Sequence, residues 1–342
     1  MRSDAQRLRT GNGEHIMTTV RRHATLEDVA RAAGVSRSTA SRVLAESGFA
    51  SPVARERVRD AADRLGYVPN AAARALVRGA GVRLLVAVAG TSPGVLDDSY
   101  LDQVVSTTAQ VCAPYGLGVT VAWVPLDEPG QLARLADDRA VAGLVLVNTT
   151  EALLDVVPRR LYGRTASIGI GSTAVPSVDI DNGAGTSAIV RHLYAAGRRR
   201  IAMVTGPAWL ACSRRSVEAY RALLREAGLP AREVAGDFSA ARGRSAAREV
   251  LHRWPDTDAI VGISDATALG VIDQLRADGV RVPADVAVTG FDDIPLASVT
   301  ALTTASHPVR RIAAAAATMV LEERTAPPMT MFPSSLVLRE SA

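Results

Sequence analysis

Two parts are predicted for this chain of 342 residues: a small all-α module near the N-terminus and, behind it, an α/β domain of two doubly wound parallel sheets. Three observations predict that division. Between Ala24 and Leu65 the apolar residues recur at helical spacing and are punctuated by cap residues. From Val82 onward, short apolar runs alternate with helical stretches, the order expected of a parallel sheet covered on both faces. The charge is divided as well. All 39 basic residues are arginine; residues 1–80 hold 14 of them against 8 acidic side chains, a balance of +6, whereas the remaining 25 face 27 acids, a balance of −2. A basic excess confined to one end is the electrostatic footprint of a phosphate-binding surface.

Composition excludes several classes. A hydrophobic content of 48% argues against a wholly disordered chain. No apolar run approaches a membrane span, and residues 1–23 are polar without a signal-peptide core, so a cytoplasmic protein with no membrane partner is expected. Cys112 and Cys212, the two cysteines, suit a reducing compartment and read as small buried residues, not as a disulfide framework or zinc ligands.

Residues 1–23 read as a disordered tail, with Met17 a second candidate start. Thr25 followed by Asp28 is a capping-box-like start. Leu26, Val29, Ala30 and Ala33 then lie on one stripe, and Gly34 supplies a left-handed stop. Ser36 caps a second helix that turns Ala40, Val43 and Leu44 inward. Ala32, Ala33 and Gly34 let the two helices cross closely, as a helix-turn-helix needs, and Arg37, Ser38, Ser41 and Arg42 are left outward. In a major groove, Arg37 and Arg42 reach guanine edges in bidentate fashion and Ser38 reads permissively. Thr25, Ser36, Thr39 and Ser41 would hold phosphates. Ser51-Pro52 opens a third helix whose buried stripe is Val58, Ala62 and Leu65, and Ser51 joins the DNA-facing set. Asn70 to Arg78 has strongly helical composition but is too short to stand alone. It reads either as a helix formed on DNA, with Leu76 wedged into a minor-groove step, or as a linker whose leucine packs on the next domain.

These residues resemble the lactose-repressor/galactose-repressor (LacI/GalR) family of transcription regulators. The carrying residues are Thr25-Leu26-Glu27-Asp28-Val29-Ala30, Gly34-Val35-Ser36, Thr39 with Ser41-Arg42-Val43-Leu44, and Leu65-Gly66-Tyr67 followed by Pro69-Asn70, Ala73-Arg74 and Leu76. Ala40 stands where a valine is usual. The resemblance implies that Arg37, Ser38 and Arg42 read bases, that Tyr67 and Asn70 contact phosphates, and that Leu76 is the hinge-helix leucine. It continues through Val178-Asp179-Ile180-Asp181-Asn182, Val282-Pro283, Gly290-Phe291-Asp292-Asp293-Ile294-Pro295 and Leu302-Thr303-Thr304.

The organisation it implies is a tail (1–23), a helix-turn-helix headpiece (24–69), a hinge helix and linker (70–81), and a two-lobed, periplasmic-binding-protein-like effector and dimerisation domain (82–342). One lobe takes about 82–179 and 308–331, the other about 180–307 and 332–342. Strands are expected at Val82–Ala89, Leu117–Trp123, Gly143–Val147, Ala166–Ile170, Arg200–Val204, Ala259–Ile263 and Val286–Gly290. Helices are expected at Tyr100–Tyr115, Ala184–Ala196, Arg214–Ala227, Arg244–Arg253 and Thr267–Asp278. Ligands of such sheets sit at strand C-terminal ends, which brings Asp292 to the cleft; the resemblance implies that Phe238 packs on the ligand, its alternative being simple lobe core, with Tyr100 lining the other lobe. Ser216 stands where the family has a ligand-clamping arginine, and Ser264 where asparagine is common. A serine cannot grip a ligand bidentately, so either Arg215 swings in, the effector differs, or effector binding is lost.

The implied partners are a palindromic operator, a small-molecule effector and a second copy of the chain; no apolar heptad precedes Ala342, so a dimer is expected rather than a tetramer. No enzyme and no cofactor are expected. Gly183-Ala184-Gly185 is no phosphate loop, because the chain has no lysine, and Ser213 and Ser216 lack a nucleophile-elbow pattern. The remaining alternative is a two-lobed small-molecule receptor without a gene-regulatory role.

Overall fold

The structure, a computed structural model, describes residues 25–44, 50–65, 67, 82–322 and 328–342. Two compact units divide between Asn70 and Ala71.

The first unit contains α1 (Leu26–Ala33), α2 (Arg37–Leu44) and α3 (Pro52–Leu65). The Thr25 hydroxyl accepts the Asp28 N–H at 3.3 Å and the Asp28 carboxylate accepts the Thr25 N–H at 2.9 Å, a reciprocal cap on two otherwise orphan donors. Gly34 (φ 68°) ends α1 by sending its N–H back to the Ala30 and Arg31 carbonyls. A Cβ at that φ would be strained. Val29, Ala30, Ala33, Ala40, Val43, Val58, Ala61 and Ala62 make the core. Five of these eight are alanines, so the helices approach closely, and few side-chain rotamers are frozen by folding. The predicted stripe of α3 needs one correction. Ala61 takes part in the core, while Leu65, in the last turn, is 41% exposed and lies beyond the core cluster.

The second unit holds two parallel sheets. The first contains β1 (Arg83–Gly90), β2 (Gly118–Pro125), β3 (Val141–Val147), β4 (Thr165–Ile168), β5 (Ser177–Ile180) and the late β11 (Met329–Phe332), in the order β11-β5-β4-β3-β1-β2. Around it lie α4 (Ser99–Cys112), α5 (Gln131–Ala136), α6 (Glu151–Asp155) and α12 (Val309–Glu322). The second sheet, β7-β6-β8-β9, is made of β6 (Ile201–Val204), β7 (Arg232–Val234), β8 (Ala259–Gly262) and β9 (Ala287–Thr289). With it come α7 (Asn182–Ala195), α8 (Ala211–Glu226), α9 (Ala240–Arg253), α10 (Asp265–Ala277) and the short α11 (Pro295–Val299). A two-residue antiparallel pair, β10 (Thr304–Ala305) with β12 (Leu336–Val337), adjoins this lobe.

The chain thus leaves the first sheet after β5, returns in α12, and leaves again after β11. β1 and β3 are buried almost along their whole length, the signature of strands covered on both faces. One apolar cluster runs through both lobes, from Leu84 and Val88 to Ile201 and Tyr220. A separate cluster fills the far face of each sheet. β5, β7, β11 and α12 were not separable in the sequence. The strands are only three or four residues long. The end of the chain is sewn into the second lobe. The Ser341 hydroxyl donates to the Val288 carbonyl (2.6 Å) and accepts the Thr303 N–H (2.8 Å), while its carbonyl accepts the Val288 N–H (2.8 Å).

Candidate nucleic-acid interface and ligand cleft

On α2, residues whose side chains are not needed by the core are those nominated for bases. Arg37, Ser38 and Arg42 are exposed, whereas Ala40 and Val43 are buried and Thr39 and Ser41 half-buried. The Ser36 hydroxyl accepts the Thr39 N–H at 3.1 Å and sits 2.9 Å and 2.8 Å from the Ser38 and Thr39 hydroxyls. That N-cap fixes the start of α2 and gathers three hydroxyls at the positively polarised end of the helix, where anions are favoured. Arg42 Nε donates to the Ser38 carbonyl (3.2 Å), which draws its stem along the helix, and Arg37 is only loosely paired with Glu27 at 3.9 Å. Thr25 and Ser51 act first as helix caps, Ser51 accepting the Ala54 N–H at 3.2 Å. Tyr67 packs against the three-helix core. Asn70 and Leu76 lie outside the described residues.

Between the lobes is a cavity of about 710 Å³. The C-terminal ends of the first-lobe strands supply Asn148 and Thr149 after β3, Ile168 to Ile170 after β4, and Asp179 at the end of β5. The first turn of α4 adds Tyr100, preceded by its N-cap Asp98, whose carboxylate accepts the Tyr100 N–H at 2.9 Å. From the second lobe come Cys212, Ser213 and Ser216 on α8, Asp237 and Phe238 after β7, Ser264 after β8, and Phe291 and Asp292 after β9. Tyr100, Ser216, Phe238, Ser264 and Asp292 therefore all line the cavity.

Arg215 does not line it. Its guanidinium is paired with the Asp179 carboxylate and donates to Asn182 Oδ1 at 2.7 Å, so it binds together the end of β5 and the start of α7, where the chain passes between lobes. Swinging into the cavity would strand Asp179, which is only 7% exposed. Cys212 also departs from expectation: it is half-buried in the cavity wall, and burial pushes its thiol up to about 12. At neutral pH it is an unreactive thiol.

Local geometry explains why these side chains point where they do. Phe238 (φ 72°), Asp292 (φ 120°) and Asp293 (φ 55°) all take left-handed backbone conformations without being glycine, a cost of order 1–3 kcal/mol each that surrounding bonds must offset. The Phe238 carbonyl accepts the Ser264 hydroxyl at 3.1 Å, and that hydroxyl caps α10 by accepting the Thr267 N–H at 3.2 Å. The turn carrying Asp292 is held from below by Asp265. Its N–H donates to the Phe291 carbonyl (2.7 Å) and its carboxylate accepts the Ile294 N–H (2.8 Å) and the Thr304 hydroxyl (2.6 Å). Asp265 is fully buried, and burial, helped by the nearby Asp292, raises its carboxyl to about 7.

His307 sits where the second connection between lobes passes. Its ring lies 5.0 Å from the Tyr100 ring, edge-on to Phe291 at 6.4 Å, and Nδ1 is 3.2 Å from Asp292 Oδ1. Burial pushes the imidazole down to about 4 and holds Asp292 well above the carboxylate range, with the charge of Asp98 adding to the latter. Near pH 7 the imidazole is thus neutral. Sequence reasoning missed Asp98, Asn148, Thr149 and Ser213 as cavity-lining residues. Strand-end position was the available signal for Asn148 and Thr149, and a helix N-cap at the mouth of a strand-helix connection for Asp98. Ser213 carried none.

A capped helix-turn-helix with an arginine face and a two-lobed unit with a cleft at its strand ends define a DNA-binding regulator built on a solute-receptor fold. The sequence pattern of bacterial regulatory proteins of the lacI family matches residues 25–70, and that of the periplasmic binding protein-like domain matches residues 190–342. The HTH-type transcriptional regulator CelR of Thermobifida fusca is 32% identical over 339 residues, covering 94% of this chain and 99% of that protein. The ribose operon repressor of Escherichia coli K12 is 31% identical over 285 residues, 80% of this chain and 84% of that one. Among solved structures, the CelR–cellobiose complex superimposes with a TM-score of 0.64 at 30% identity, covering 93% of this chain and 100% of that one. A lac repressor dimer bound to operator and an anti-inducer gives 0.64 at 26%, covering 94% and 99%. The chain belongs to the LacI family of transcription regulators.

Proposed function

We propose that the protein is a repressor that binds a near-palindromic operator as a homodimer and is released or engaged by a sugar-like effector in the interlobe cleft. The observation that carries the reading is the outward face of α2, where Arg37, Ser38 and Arg42 extend from a helix whose other side is locked into the core. Each headpiece supplies these three side chains to one half-site, so a two-fold protein reads a two-fold sequence. Ser36, Thr39, Ser41, Thr25, Ser51, Tyr67 and Asn70 serve the phosphates, and Leu76 wedges the operator centre. In the cleft Tyr100, Phe238 and Asp292, with Ser216 and Ser264, contact the effector. Arg215 acts through Asp179 instead of touching it. Binding between lobes changes their angle and so the population able to hold DNA. The protein works in the cytoplasm and catalyses no reaction on its ligand.

The test is selection of bound fragments from a random DNA pool, with and without mixtures of metabolites. Enrichment of one inverted repeat, abolished or strengthened by a metabolite, is expected. Equal retention of the selected sequence and a scrambled one at moderate salt would refute base reading.

A further inference from the structure

We propose that the rim of the first sheet formed by the N-terminal ends of β1, β3 and β4 is a second DNA-binding surface, which holds backbone phosphates flanking the operator through Arg139, Arg159 and Arg160. The surface presupposes an operator held by the headpiece; its contacts lie outside the base-reading face.

The cleft is built at the C-terminal ends of the strands, so this rim is the opposite pole of the lobe. Strand register sets its residues side by side. The Arg83 N–H donates to the Ala140 carbonyl (2.8 Å) and the Leu144 N–H to the Arg164 carbonyl (2.9 Å), so the segments leading into β1, β3 and β4 abut. Those segments are rich in arginine. Arg83 with residues 137–140 and 155–164 supplies five arginines (Arg83, Arg139, Arg159, Arg160 and Arg164) against three aspartates (Asp137, Asp138 and Asp155), a balance of +2. Residues 81–342 as a whole carry 25 arginines against 27 acids, a balance of −2.

The second sheet has an equivalent rim, whose arginines are committed to partners. Arg199 donates to the Tyr194 carbonyl (2.7 Å) and lies 3.8 Å over its ring, Arg200 pairs with Asp258 (3.3 Å), Arg232 with Asp256 (2.8 Å) and Arg281 with Asp285 (2.6 Å). On the first rim Arg83 is paired with Asp138. The Arg139, Arg159 and Arg160 side chains are exposed and have no hydrogen bond or ion pair among the described residues.

A solvated arginine needs no partner in itself, but these three are carried on fixed backbone. Arg159 and Arg160 ride on a 3-10 turn (Arg159–Leu161) pinned by the buried Leu161, whose carbonyl accepts the Arg164 N–H (2.9 Å) and the Thr165 hydroxyl (3.0 Å). Beside Arg139, the Asp138 carboxylate accepts the Ala140 N–H (2.8 Å) and so holds the turn into β3. Fixed presentation lowers the ordering cost of a contact, and the planar donor fork of a guanidinium matches phosphate oxygens.

The chain also enters the lobe at this rim. β1 starts at Arg83, and 11 residues, 71–81, lie between Asn70, where the first unit ends, and Val82. Such a tether spans at most ~40 Å, and one turn of B-DNA is about 34 Å. Duplex flanking a site read by α2 is therefore within the tether's range.

The experiment titrates the full chain with duplexes carrying the selected inverted repeat and flanks of about 2 or about 12 base pairs on each side, between about 50 and 200 mM salt. The longer duplex should bind at least about tenfold more tightly at low salt, and its log affinity should fall more steeply with log salt, by about 0.9 for each added phosphate contact. The triple variant Arg139→Ala, Arg159→Ala, Arg160→Ala should keep its melting temperature and its affinity for the short duplex, and lose both the length advantage and the extra slope. Lysine at all three positions should restore most of each. Equal affinity and slope for the two duplexes in the wild type overturn the proposal. So does a length advantage that survives in the triple variant, which would belong to the headpiece. Equal binding of operator and scrambled duplexes, with the length advantage retained and sensitive to the triple variant, sinks base reading by α2 and leaves this surface standing. Failure to bind any duplex sinks both.

Discussion

Arg37 and Arg42 stand on the outside of α2 with their charges in water, whereas Asp179 and Asp265 sit inside the two-lobed unit, each with designated partners. An exposed charge can stay uncommitted, because hydration serves it until a phosphate or base edge arrives. A buried one cannot. The first surface should therefore tolerate substitution in stability and lose function, while the second should lose stability and function together.

A large effect at any pH is expected from this contrast at Arg215. Arg215→Ala leaves Asp179 buried and unpaired and should destabilise the two-lobed unit by about 3 kcal/mol in urea unfolding. A change below about 0.5 kcal/mol would mean that water replaces the guanidinium and that the pair is not buried in practice.

Asp265 comes next, and its sign runs against the usual carboxylate. Its carboxyl is raised from 3.8 to about 7 in the folded protein, so between those values the native state holds a proton that the unfolded chain has released. Its contribution to stability is therefore greatest at the acid end and falls as pH rises toward 7. Asp265→Asn removes that slope, and the wild-type minus variant stability should decline by about 4 kcal/mol at most across the window. Parallel pH profiles for the two proteins would show that Asp265 does not titrate there.

On the exposed side, Arg42→Ala should leave the melting temperature nearly unchanged. It should relax discrimination at one operator base pair by ~1–3 kcal/mol, read from competition between matched and mismatched duplexes. A uniform loss across all sequences would instead assign Arg42 to a phosphate. The smallest effect belongs to the cap of α1: Thr25→Ala should cost about 1 kcal/mol of headpiece stability, with Thr25→Ser restoring most of it.

The same contrast decides what could be read before any fold was known. The headpiece was legible because its signals are local. Thr25 and Asp28 cap one helix, Ser36 the next, and both bonds are present. The α/β alternation also gave seven strands near their observed places. In the cleft, Asp292 could be nominated by its position after a predicted strand, and Phe238 by the family resemblance alone, since β7 before it was not foreseen. What Arg215 would touch could not, because its partner Asp179 is 36 residues away and belongs to the other lobe. Nor could the contact of Asp292 with His307 and the burial that pushes both groups toward their neutral forms, which elements of both lobes produce jointly.

Ser341 carries a practical consequence for anyone preparing this protein. Its three bonds to Val288 and Thr303 clamp the final residues beneath the strand that leads to Asp292. Ser341→Ala, or any change that pulls Ser341 from its buried place, therefore disturbs the receptor half indirectly, through the strand that leads to Asp292.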